Sequence, residues 1–593
     1  MVLGPGAPVS GKERSLMNRN WVVALLSFFI VLSMMLAVAA CSPAAQAPQP
    51  TGQDGKPASE GQPQRGGTHK VMVNGYVSYG TVDSHRASFS PPIGFSGQSV
   101  NQVVKRNLMS GNYEIIPELA ESWGVSSDGL TYTFKLHKGV KFQNLPPVNG
   151  REFTADDVEY MIKRISADPS IVLEKWTQLF TRRSDFTSIA SIEKPDKYTL
   201  VVKMKEPDAV FMHNMATAGS IIIPKEMIDE NPDKLIQDKI IGTGPFICKE
   251  YVPDVRHYCD RNPDYWKKDE KGTQLPYLDK LEKNFYTGGD TSSAIAAFLA
   301  GQIDALAGNG GGAPSLTEAD IATITKNMGN KAYLISSSGG NFQHIRINPK
   351  RAPFDNVKMR RAVHLAIDRQ QIIDAISRGG AEVTGLVPPA LAAEGGQSGD
   401  DLAKTPGYRQ PKDQDIAEAK KLVKEAGYEG VTVEMNTSGG TATTADLAAL
   451  IKEQLGKVGI NVNIKLTANY QDHLNDMIAD KFQITYTGHG ASPDSDEYIY
   501  KHFHSKGARN YYKFSDPKWD QLAEKQRTAV TAEERKKAVR DAIAYHAEVV
   551  PSAPLSASYN QFFYRSYTHG FGKPVQNIDG STYFDVYWMD QSR

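Results

Sequence analysis

The sequence predicts a mixed α/β fold, and three observations lead to that prediction. Segments with the apolar alternation of strands take turns with capped helical segments from Thr68 to the end of the chain. The stretch TVEMNTSGG, a helix through Leu455 and the stretch INVNIKL form a strand–helix–strand unit, which is typical of a parallel sheet. The chain has 593 residues, which leaves room for three domains or more.

The charge composition argues against a nucleic-acid partner. Lys and Arg together number 67, as do Asp and Glu, so the net charge is zero. The sequence has no long run of Lys or Arg, and a nucleic-acid-binding face would need such a cluster. We therefore expect no nucleic acid among the partners.

The N-terminal segment has the pattern of an export signal that ends at a cysteine. Three basic residues precede an apolar run over 21–40, and small residues stand at 38–40 just before Cys41. This arrangement resembles a bacterial lipobox, so we predict a signal peptide over 1–40 and lipidation of Cys41. The alternative is an uncleaved membrane anchor, because the run is long enough to span a bilayer. Met1 and Met17 both remain candidate starts.

The stretch 41–67 predicts a disordered tether. It consists mainly of Pro, Gly, Gln, Ala and Ser, a composition that cannot bury enough apolar surface to fold. Its root-mean-square reach would be about 30 Å. Both readings of the N-terminus place the rest of the chain outside the cytoplasm, on the outer face of the cytoplasmic membrane and close to it.

The next elements carry clear turn and capping signals. In LAESWGVSSDGLTYTFKLHKGVKF, Asp128 and Gly129 mark a turn between two strands. The segment FTADDVEYMIKRI predicts a helix with Thr154 at the N-cap and Asp157 at the capping-box position. Further on, Asp355 and Asp368 are expected to cap two consecutive helices. Another helix is expected to end at Gly427, and a Thr531/Glu534 capping box to open a long one.

The segment GTGPFICKEYVPDVRHYCDRNPDYW predicts a hairpin. If Pro253 and Asp254 form a two-residue loop, Cys248 faces Cys259 across the strands. Directly opposed strand residues lie within disulfide range, and an exported protein lives where disulfides persist. We expect a structural bond between these cysteines; the alternative is two reduced, half-buried thiols.

Several blocks together resemble family 5 of the extracytoplasmic solute-binding proteins of ABC transporters, which includes oligopeptide, dipeptide and nickel binders. The blocks are LAESWGVSSDGLTYTFKLHKGVKF, FTADDV, GTGPF, NPDYW, LAGQIDAL, PFDNVKMRRAVHLAIDRQQII, AKKLVKEAGY and EQLGKVGINVNI. The first departs from the family pattern at His137, where Arg or Lys is usual. The resemblance implies a periplasmic-binding-protein-like type II fold, with two lobes around a cleft and an extra domain on lobe one.

The resemblance also implies domain boundaries. Lobe one would take 66–112, 236–333 and 555–593, the extra domain 113–235, and lobe two 334–554. Such proteins close by a hinge on a solute that touches both lobes, and the closed form is recognised by a permease. We expect the protein to act as a monomer and to touch the membrane through its lipid only.

Within this family, peptide binders hold the ligand's ammonium group with an aspartate. The matching segment here is TYTGHGASPDSDEY, with Tyr486 at the aromatic position and His489 at the aspartate position. Neutral imidazole is not the fixed anion that a buried ammonium requires. Asp494 and Asp496 are candidates to replace it, or they cap a helix that starts near Glu497. The solute therefore stays open between a peptide-like molecule and an oligosaccharide.

Segments that line the site in relatives supply further candidate ligand contacts. Their aromatic rings would stack on a solute or simply fill the core; the candidates are Tyr76, Tyr79, Asp83, His85, Asn341, Phe342, Pro388 and Pro389. His489 and the pair His502-x-His504 invite a metal reading. Because the two histidines of such a pair point apart on a helix, we expect no metal and no cofactor.

The sequence thus predicts a solute-binding lipoprotein that serves an ABC importer. The alternative is a binding lipoprotein that signals to a membrane partner, because such a protein would close on its ligand in the same way. A secreted hydrolase is the other rival, but Gly-x-Ser-x-Gly and His-Glu-x-x-His motifs are absent from the sequence. Two Ser-x-x-Lys matches, at Ser191 and Ser515, lack partner motifs, and Ser515 suits a helix N-cap. We therefore expect no enzyme activity.

Overall fold

A computed structural model describes residues 61–591 apart from 75–82, 87–96, 108–113, 181, 218, 230–239, 253–254, 287–290, 308–315, 339–340, 440–441, 491, 493, 512 and 572–583. The predicted signal peptide, Cys41 and most of the tether lie outside these residues. Among the helices that are described, none combines the length and the apolar character needed to cross a membrane.

The strands are short and are distributed along the whole described chain. In chain order they are β1 (Thr68–Asn74), β2 (Val104–Arg106), β3 (Ile115–Pro117), β4 (Ala120–Val125), β5 (Thr131–Leu136), β6 (Ile189–Asp196), β7 (Thr199–Met204), β8 (Phe246–Val252), β9 (Arg256–Arg261), β10 (Lys280–Tyr286), β11 (Ala305–Ala307), β12 (Ala332–Ser337), β13 (Phe342–Ile347), β14 (Ala381–Val383), β15 (Val431–Ser438), β16 (Ile460–Thr467), β17 (Ile484–His489), β18 (Ser552–Ser558), β19 (Asn560–Arg565), β20 (Thr568–His569) and β21 (Trp588–Met589).

Helices alternate with these strands, as the sequence predicts. They are α1 (Ala155–Ile165), α2 (Phe211–Met215), α3 (Glu226–Asp229), α4 (Thr291–Leu299), α5 (Glu318–Met328), α6 (Val357–Ala366), α7 (Arg369–Ile372), α8 (Gly399–Leu402), α9 (Asp413–Glu425), α10 (Ala442–Gly456), α11 (Tyr470–Ile478), α12 (Pro517–Arg527) and α13 (Ala532–Val549). Short 3₁₀ or π turns span Glu174–Leu179, Gly329–Lys331, Ile373–Ser377, Pro389–Glu394 and Glu497–Lys501.

The described strands form three sheets of four or more strands and two two-stranded sheets, β2-β3 and β20-β21. A seven-stranded sheet has the order β12-β19-β11-β1-β10-β9-β8, and a six-stranded sheet has the order β14-β18-β13-β17-β15-β16. A four-stranded antiparallel sheet, β4-β5-β7-β6, packs against α1 around Phe134, Val158 and Leu200. Within the six-stranded sheet β15 and β16 run parallel, which confirms the predicted strand–helix–strand unit.

The chain passes between the two large sheets at two places. One passage lies between β12 and β13, and the other is Tyr559, between β18 and β19. The two passages are adjacent, because the Ser558 amide donates to the Asn341 carbonyl at 3.0 Å and the Asn341 amide donates to the Ser558 hydroxyl at 2.7 Å. The two sheets are therefore joined by a narrow, doubly stranded connection.

Local capping chemistry follows the sequence closely, with two corrections. Both predicted capping boxes form, and Asp368 caps α7. Helix α6, however, is capped by Asn356 rather than by Asp355, because the Asn356 side chain accepts from the amide of Lys358 at 2.9 Å. Helix α12 is likewise capped by Asp516, whose carboxylate accepts two amide hydrogens, and not by Ser515.

The β8–β9 hairpin brings its two cysteines together. Cys248 pairs with Cys259 in the strand register, and a disulfide joins them. The two-residue loop is wrong, however, because Val252 pairs with Arg256 and not with Val255. A bulge between Cys248 and Glu250 absorbs the extra turn residue and restores the predicted register at the cysteines.

Candidate binding face around His489

One side of the β13–β17 pair carries a row of polar and aromatic side chains. The two strands are antiparallel, with Phe342 opposite His489 and Arg346 opposite Thr485. Successive residues of a strand point to opposite faces, so Phe342, His344, Arg346 and His489 share one face. The other face carries Ile345, Ile347 and Ile484 into the apolar core.

The segment that follows β17 folds back over this face. The π turn Glu497–Lys501 places Tyr498 so that its ring centroid lies 5.1 Å from that of Phe342 and 5.4 Å from that of His489. The ring of His502 stacks on His489, with centroids 4.3 Å apart. We call Phe342, His344, His489, Tyr498 and His502 the aromatic cluster.

Arg346 determines where two histidines carry their hydrogens. Its Nε donates to Nε2 of His344 at 2.9 Å, and its Nη2 donates to Nδ1 of His502 at 2.8 Å. A guanidinium has no acceptor, so both ring nitrogens must accept. Burial and the nearby Arg346 hold the pKa of both histidines well below the ordinary value, so both are neutral. Neutral His502 therefore carries its hydrogen on Nε2, 3.3 Å from a Glu497 carboxylate oxygen.

His489 has the opposite tautomer to His502, with its hydrogen on Nδ1. Its Nδ1 lies 2.9 Å from the carbonyl oxygen of Gly490, which can only accept, so Nδ1 carries the hydrogen. Burial lowers the pKa of His489 to about 4, against a smaller opposing effect of Glu497. At neutral pH the Nε2 atom therefore presents a lone pair. That atom is buried and accepts no hydrogen bond from the described residues.

The two aspartates that follow His489 are engaged by arginines from distant helices. Asp494 accepts from Arg535 Nη2 at 2.8 Å, and Asp496 accepts from Arg527 Nε at 2.7 Å and Nη2 at 2.6 Å. Asp496 stands at the N-cap position of the π turn, but its side chain makes no capping hydrogen bond. Asp494 also accepts from the amide of Asp496 at 2.8 Å, just before the turn begins. Both carboxylates are thus part of buried ion pairs, and Asp494 in addition binds a backbone amide at the start of the turn.

Glu497, like the two aspartates, is paired with an arginine. It forms an ion pair with Arg509, and Lys501 lies 3.7 Å from its other oxygen. Although burial raises the pKa of Glu497, Arg509 and the neighbouring donors outweigh burial and hold the pKa well below its ordinary value. Each of the three carboxylates of segment 494–497 is therefore already paired with an arginine.

Other predicted contacts have partners within the protein. Asp83 forms a buried ion pair with Arg164 of α1, and His85 Nε2 lies 2.8 Å from the carbonyl oxygen of Ile221. Burial lowers the pKa of His85 to about 3, so this ring is neutral. Tyr486 faces the core side of β17 and donates to Gln343 Oε1 at 2.7 Å.

Three more candidates differ in how far the structure describes them. Asn341 lies beside the passage between the sheets, where its backbone pairs with Ser558. Tyr76 and Tyr79 lie outside the described residues.

The tautomers and ion pairs of the cluster argue against a metal site. His489, Glu497 and His502 place one ligand atom each within 4.8 Å of one another. Two of these three ligand atoms are already engaged. Nε2 of His502 carries a hydrogen, and the carboxylate of Glu497 is paired with Arg509. His504 is directed elsewhere, since its ring stacks on Tyr500 and Nε2 lies 3.2 Å from Glu524. The expectation of no metal stays a prediction.

Two residues of this face, Arg346 and Arg509, were not among the contacts predicted from the sequence. A signal for Arg346 was present: in FQHIRI it stands two residues after His344 and four after Phe342, on the same face of a strand. Arg509 lies in an irregular segment, so its pairing with Glu497 depends on the tertiary fold alone.

Comparison with known families supports the architecture. The family model described as bacterial extracellular solute-binding proteins, family 5 Middle, matches residues 114–510. This chain belongs to that family. As a member, it captures a small solute outside the cytoplasm and delivers it to the permease of an ABC importer.

Curated relatives and a solved structure are similar over most of their lengths. The chain is 28% identical over 465 residues to di/tripeptide-binding protein 1 of Pseudomonas aeruginosa (strain UCBPP-PA14), covering 76% of this chain and 81% of the relative. It is 28% identical over 494 residues to heme-binding protein A of Haemophilus influenzae, covering 79% and 85%.

The solved structure is the ABC transporter-associated periplasmic binding protein DppA from Helicobacter pylori in complex with peptide STSA. It superposes with a TM-score of 0.72 at 23% identity, covering 89% of this chain and 99% of that one. The likeness establishes the type II binding-protein fold that the resemblance implied.

Proposed function

We propose that this solute-binding protein is a lipoprotein, anchored at Cys41 to the outer face of the cytoplasmic membrane, whose two lobes close on a small peptide-like or oligosaccharide solute. Lobe one is built on the seven-stranded sheet, lobe two on the six-stranded sheet, and the extra domain on the four-stranded sheet. Supporting the division between the two lobes, the described strands pass between the seven-stranded and the six-stranded sheet at two adjacent places, near the predicted boundaries at 334 and 555.

The proposed class of solute depends on one observation, the buried hydrogen-bond acceptor Nε2 of His489. We propose that its Nε2 accepts a hydrogen bond from the solute, since this buried lone pair lacks a partner among the described residues. The carboxylates of segment 494–497 are each held by an arginine, so they offer no unpaired negative charge to an ammonium group. A neutral imidazole amid these ion pairs suits an uncharged donor, such as a hydroxyl or an amide N–H, better than an ammonium.

The other predicted contacts divide into two groups under this proposal. Phe342 and His489 belong to the solute face of lobe two, and Asn341 lies at its hinge side. Asp494 and Asp496 support that face through their arginine partners, whereas Asp83 and His85 contact Arg164 and Ile221 of the extra domain. The relatives named for di- and tripeptides make a peptide-like solute reasonable, provided that its group at His489 is not a free amine.

Mass spectrometry of the solute that copurifies with the full-length protein tests this proposal. The protein would be extracted in mild detergent, and its solute released by denaturation. We expect N-blocked or amide-presenting peptides or oligosaccharides. Recovery of ordinary short peptides with free N-termini would contradict the role given to His489. In the same sample, an N-terminal fragment carrying a diacylglyceryl group on Cys41 would support the anchor, and an unmodified uncleaved N-terminus would contradict it.

A further inference from the structure

The extra domain contacts lobe two directly, away from the sheet passages. Three contacts join it to the segment that begins just after His489 and ends with α12. They are the ion pair from Lys501 Nζ to Asp185 at 2.7 Å, the approach of His213 Nδ1 to Asp494 Oδ2 at 3.4 Å, and the hydrogen bond from the Ala209 amide to the Arg527 carbonyl at 2.8 Å. The extra domain therefore packs against the part of lobe two that covers the candidate face.

The ion pair between Asp185 and Lys501 is the most buried of these contacts. The side chains of Asp185 and Lys501 are 1% and 11% exposed. Asp185 has a second partner inside the extra domain, Arg182, whose Nε donates to it at 2.8 Å. Burial raises the pKa of Asp185, but Lys501 and Arg182 outweigh burial and keep the carboxylate ionised. Lys501 also lies 3.7 Å from Glu497, its neighbour within lobe two.

Lys501 stands at a position that couples the extra domain to the aromatic cluster. It ends the π turn Glu497–Lys501, and the next residue is His502, whose ring stacks on His489. Tyr498, in the same turn, contacts both Phe342 and His489. A force that holds Lys501 in place therefore also holds the turn that covers the solute face.

We propose that Asp185 and Lys501 form a latch between the extra domain and lobe two, which exists in the closed form and positions the turn 497–501 over the aromatic cluster. The inference rests on the proposed closure of two lobes and gives the extra domain a part in it. Opening would separate the two charges and return both to water, where each is well solvated. Asp185 and Lys501 are positioning residues, since the described contacts link them to the face only through the turn.

Replacement of the lysine tests the latch with little damage to the extra domain. In Lys501→Met the side chain keeps its apolar length while Asp185 retains Arg182. Lys501→Arg keeps the charge. The matched control is Lys358→Met, which removes an ion pair to Glu425 that lies wholly within lobe two at 2.9 Å.

Each variant would carry spin labels on cysteines placed at Leu173 of the extra domain and Val530 of lobe two, which are 44% and 65% exposed. Labelling of the parent protein without these cysteines would measure any signal from Cys41.

Pulsed electron spin resonance distances in the full-length protein, as purified with its own solute, give the readout. We expect Lys501→Met to lower the ratio of the short-distance to the long-distance population about tenfold or more, as for the loss of one partner of a buried pair. Lys501→Arg and Lys358→Met should keep the parent distribution. An unchanged distribution in Lys501→Met would overturn the latch, as would a lowered melting temperature without any shift in distance. Because the measurement does not depend on the identity of the solute, a wrong solute class would leave this result intact.

Discussion

Nη2 of Arg346 donates to Nδ1 of His502 at 2.8 Å, although the two residues are 156 positions apart in the chain. This bond forces the hydrogen of neutral His502 onto Nε2, where it faces the carboxylate of Glu497. Together with the bond from Arg346 to His344, it makes one arginine responsible for the tautomers of two of the three histidines in the aromatic cluster.

We therefore expect Arg346→Met to leave two buried ring nitrogens without their donor. The free energy of unfolding should fall by about 3 kcal/mol, in the range for a broken buried polar network. Nitrogen chemical shifts of labelled histidines should show that His502 becomes a mixture of tautomers. Arg351→Met is the control, because that arginine is half exposed and makes an ion pair with Asp480 at 3.6 Å. An unchanged tautomer at His502 would contradict the assignment.

The charge of the group at position 489 should determine whether a free amine is accepted. We expect His489→Asp to gain affinity for a tripeptide with a free N-terminus, by about tenfold, because a carboxylate provides the anion that an ammonium requires. The affinity of His489→Asp for the N-acetylated tripeptide should equal that of the parent. Isothermal titration of both peptides against both proteins measures the difference. His489→Gln is the control, since glutamine keeps a neutral acceptor and should not gain affinity. Equal gains for both peptides would contradict the electrostatic reading.

Buried neutral histidines should make the protein sensitive to acid. His546 lies in the core with Nε2 3.0 Å from the Ser552 hydroxyl, and burial lowers its pKa to about 3. The other titratable groups that its charge affects are the buried His344 and the half-buried His364, and both have lowered pKa values. Since the unfolded state takes up the proton near pH 6.5, stability is lost as pH falls from there toward 3.

A single residue of this kind accounts for about 3 kcal/mol between pH 7 and pH 4.5. We expect His546→Gln to have a lower free energy of unfolding than the parent at pH 7. On acidification its free energy of unfolding should fall by less than that of the parent. Urea unfolding at a series of pH values measures both quantities. His137→Gln should retain the parental pH dependence more closely, because that side chain is 37% exposed. If the free energy of unfolding fell equally with pH in His546→Gln and in the parent, His546 would not be a source of the acid sensitivity.

The disulfide should contribute to stability through the loop that it closes. The two cysteines are 11 positions apart, which corresponds to about 3 kcal/mol in the chain-entropy account. We expect the double variant Cys248→Ala/Cys259→Ala to unfold at a lower urea concentration than the oxidised parent. The parent measured in strong reductant should approach the variant. Coincident unfolding curves for the oxidised parent and the variant would contradict a stabilising bond.

The hairpin shows how a sequence-based prediction can be right about a pair and wrong about the turn. A two-residue loop after Val252 predicts the facing of Cys248 and Cys259, and the disulfide is present. The strands pair one residue further along near the turn, and a bulge at the cysteines corrects the difference. Alternation and turn residues predict which strands pair, but a bulge depends on side-chain packing that the local pattern does not encode.

The candidate face was predictable in position but not in its charges. The family resemblance named His489, Phe342 and Tyr486 as candidate contacts and raised the question of a replacement anion, while the pairing of their strands is a finding of the structure. That question depends on Arg527 and Arg535, which come from helices α12 and α13 and bind Asp496 and Asp494. Pairings between residues this distant in sequence follow from the tertiary fold, so local capping signals could not reveal them.

The position of β19 in the seven-stranded sheet has a consequence for export. This strand, Asn560–Arg565, lies between β12 and β11 and joins β12 to the rest of the sheet. A chain that crosses a membrane from its N-terminus delivers β19 after the other six strands of this sheet. The seven-stranded sheet can then be completed only after all of its other strands have crossed, and until then β12 has no strand to pair with in it.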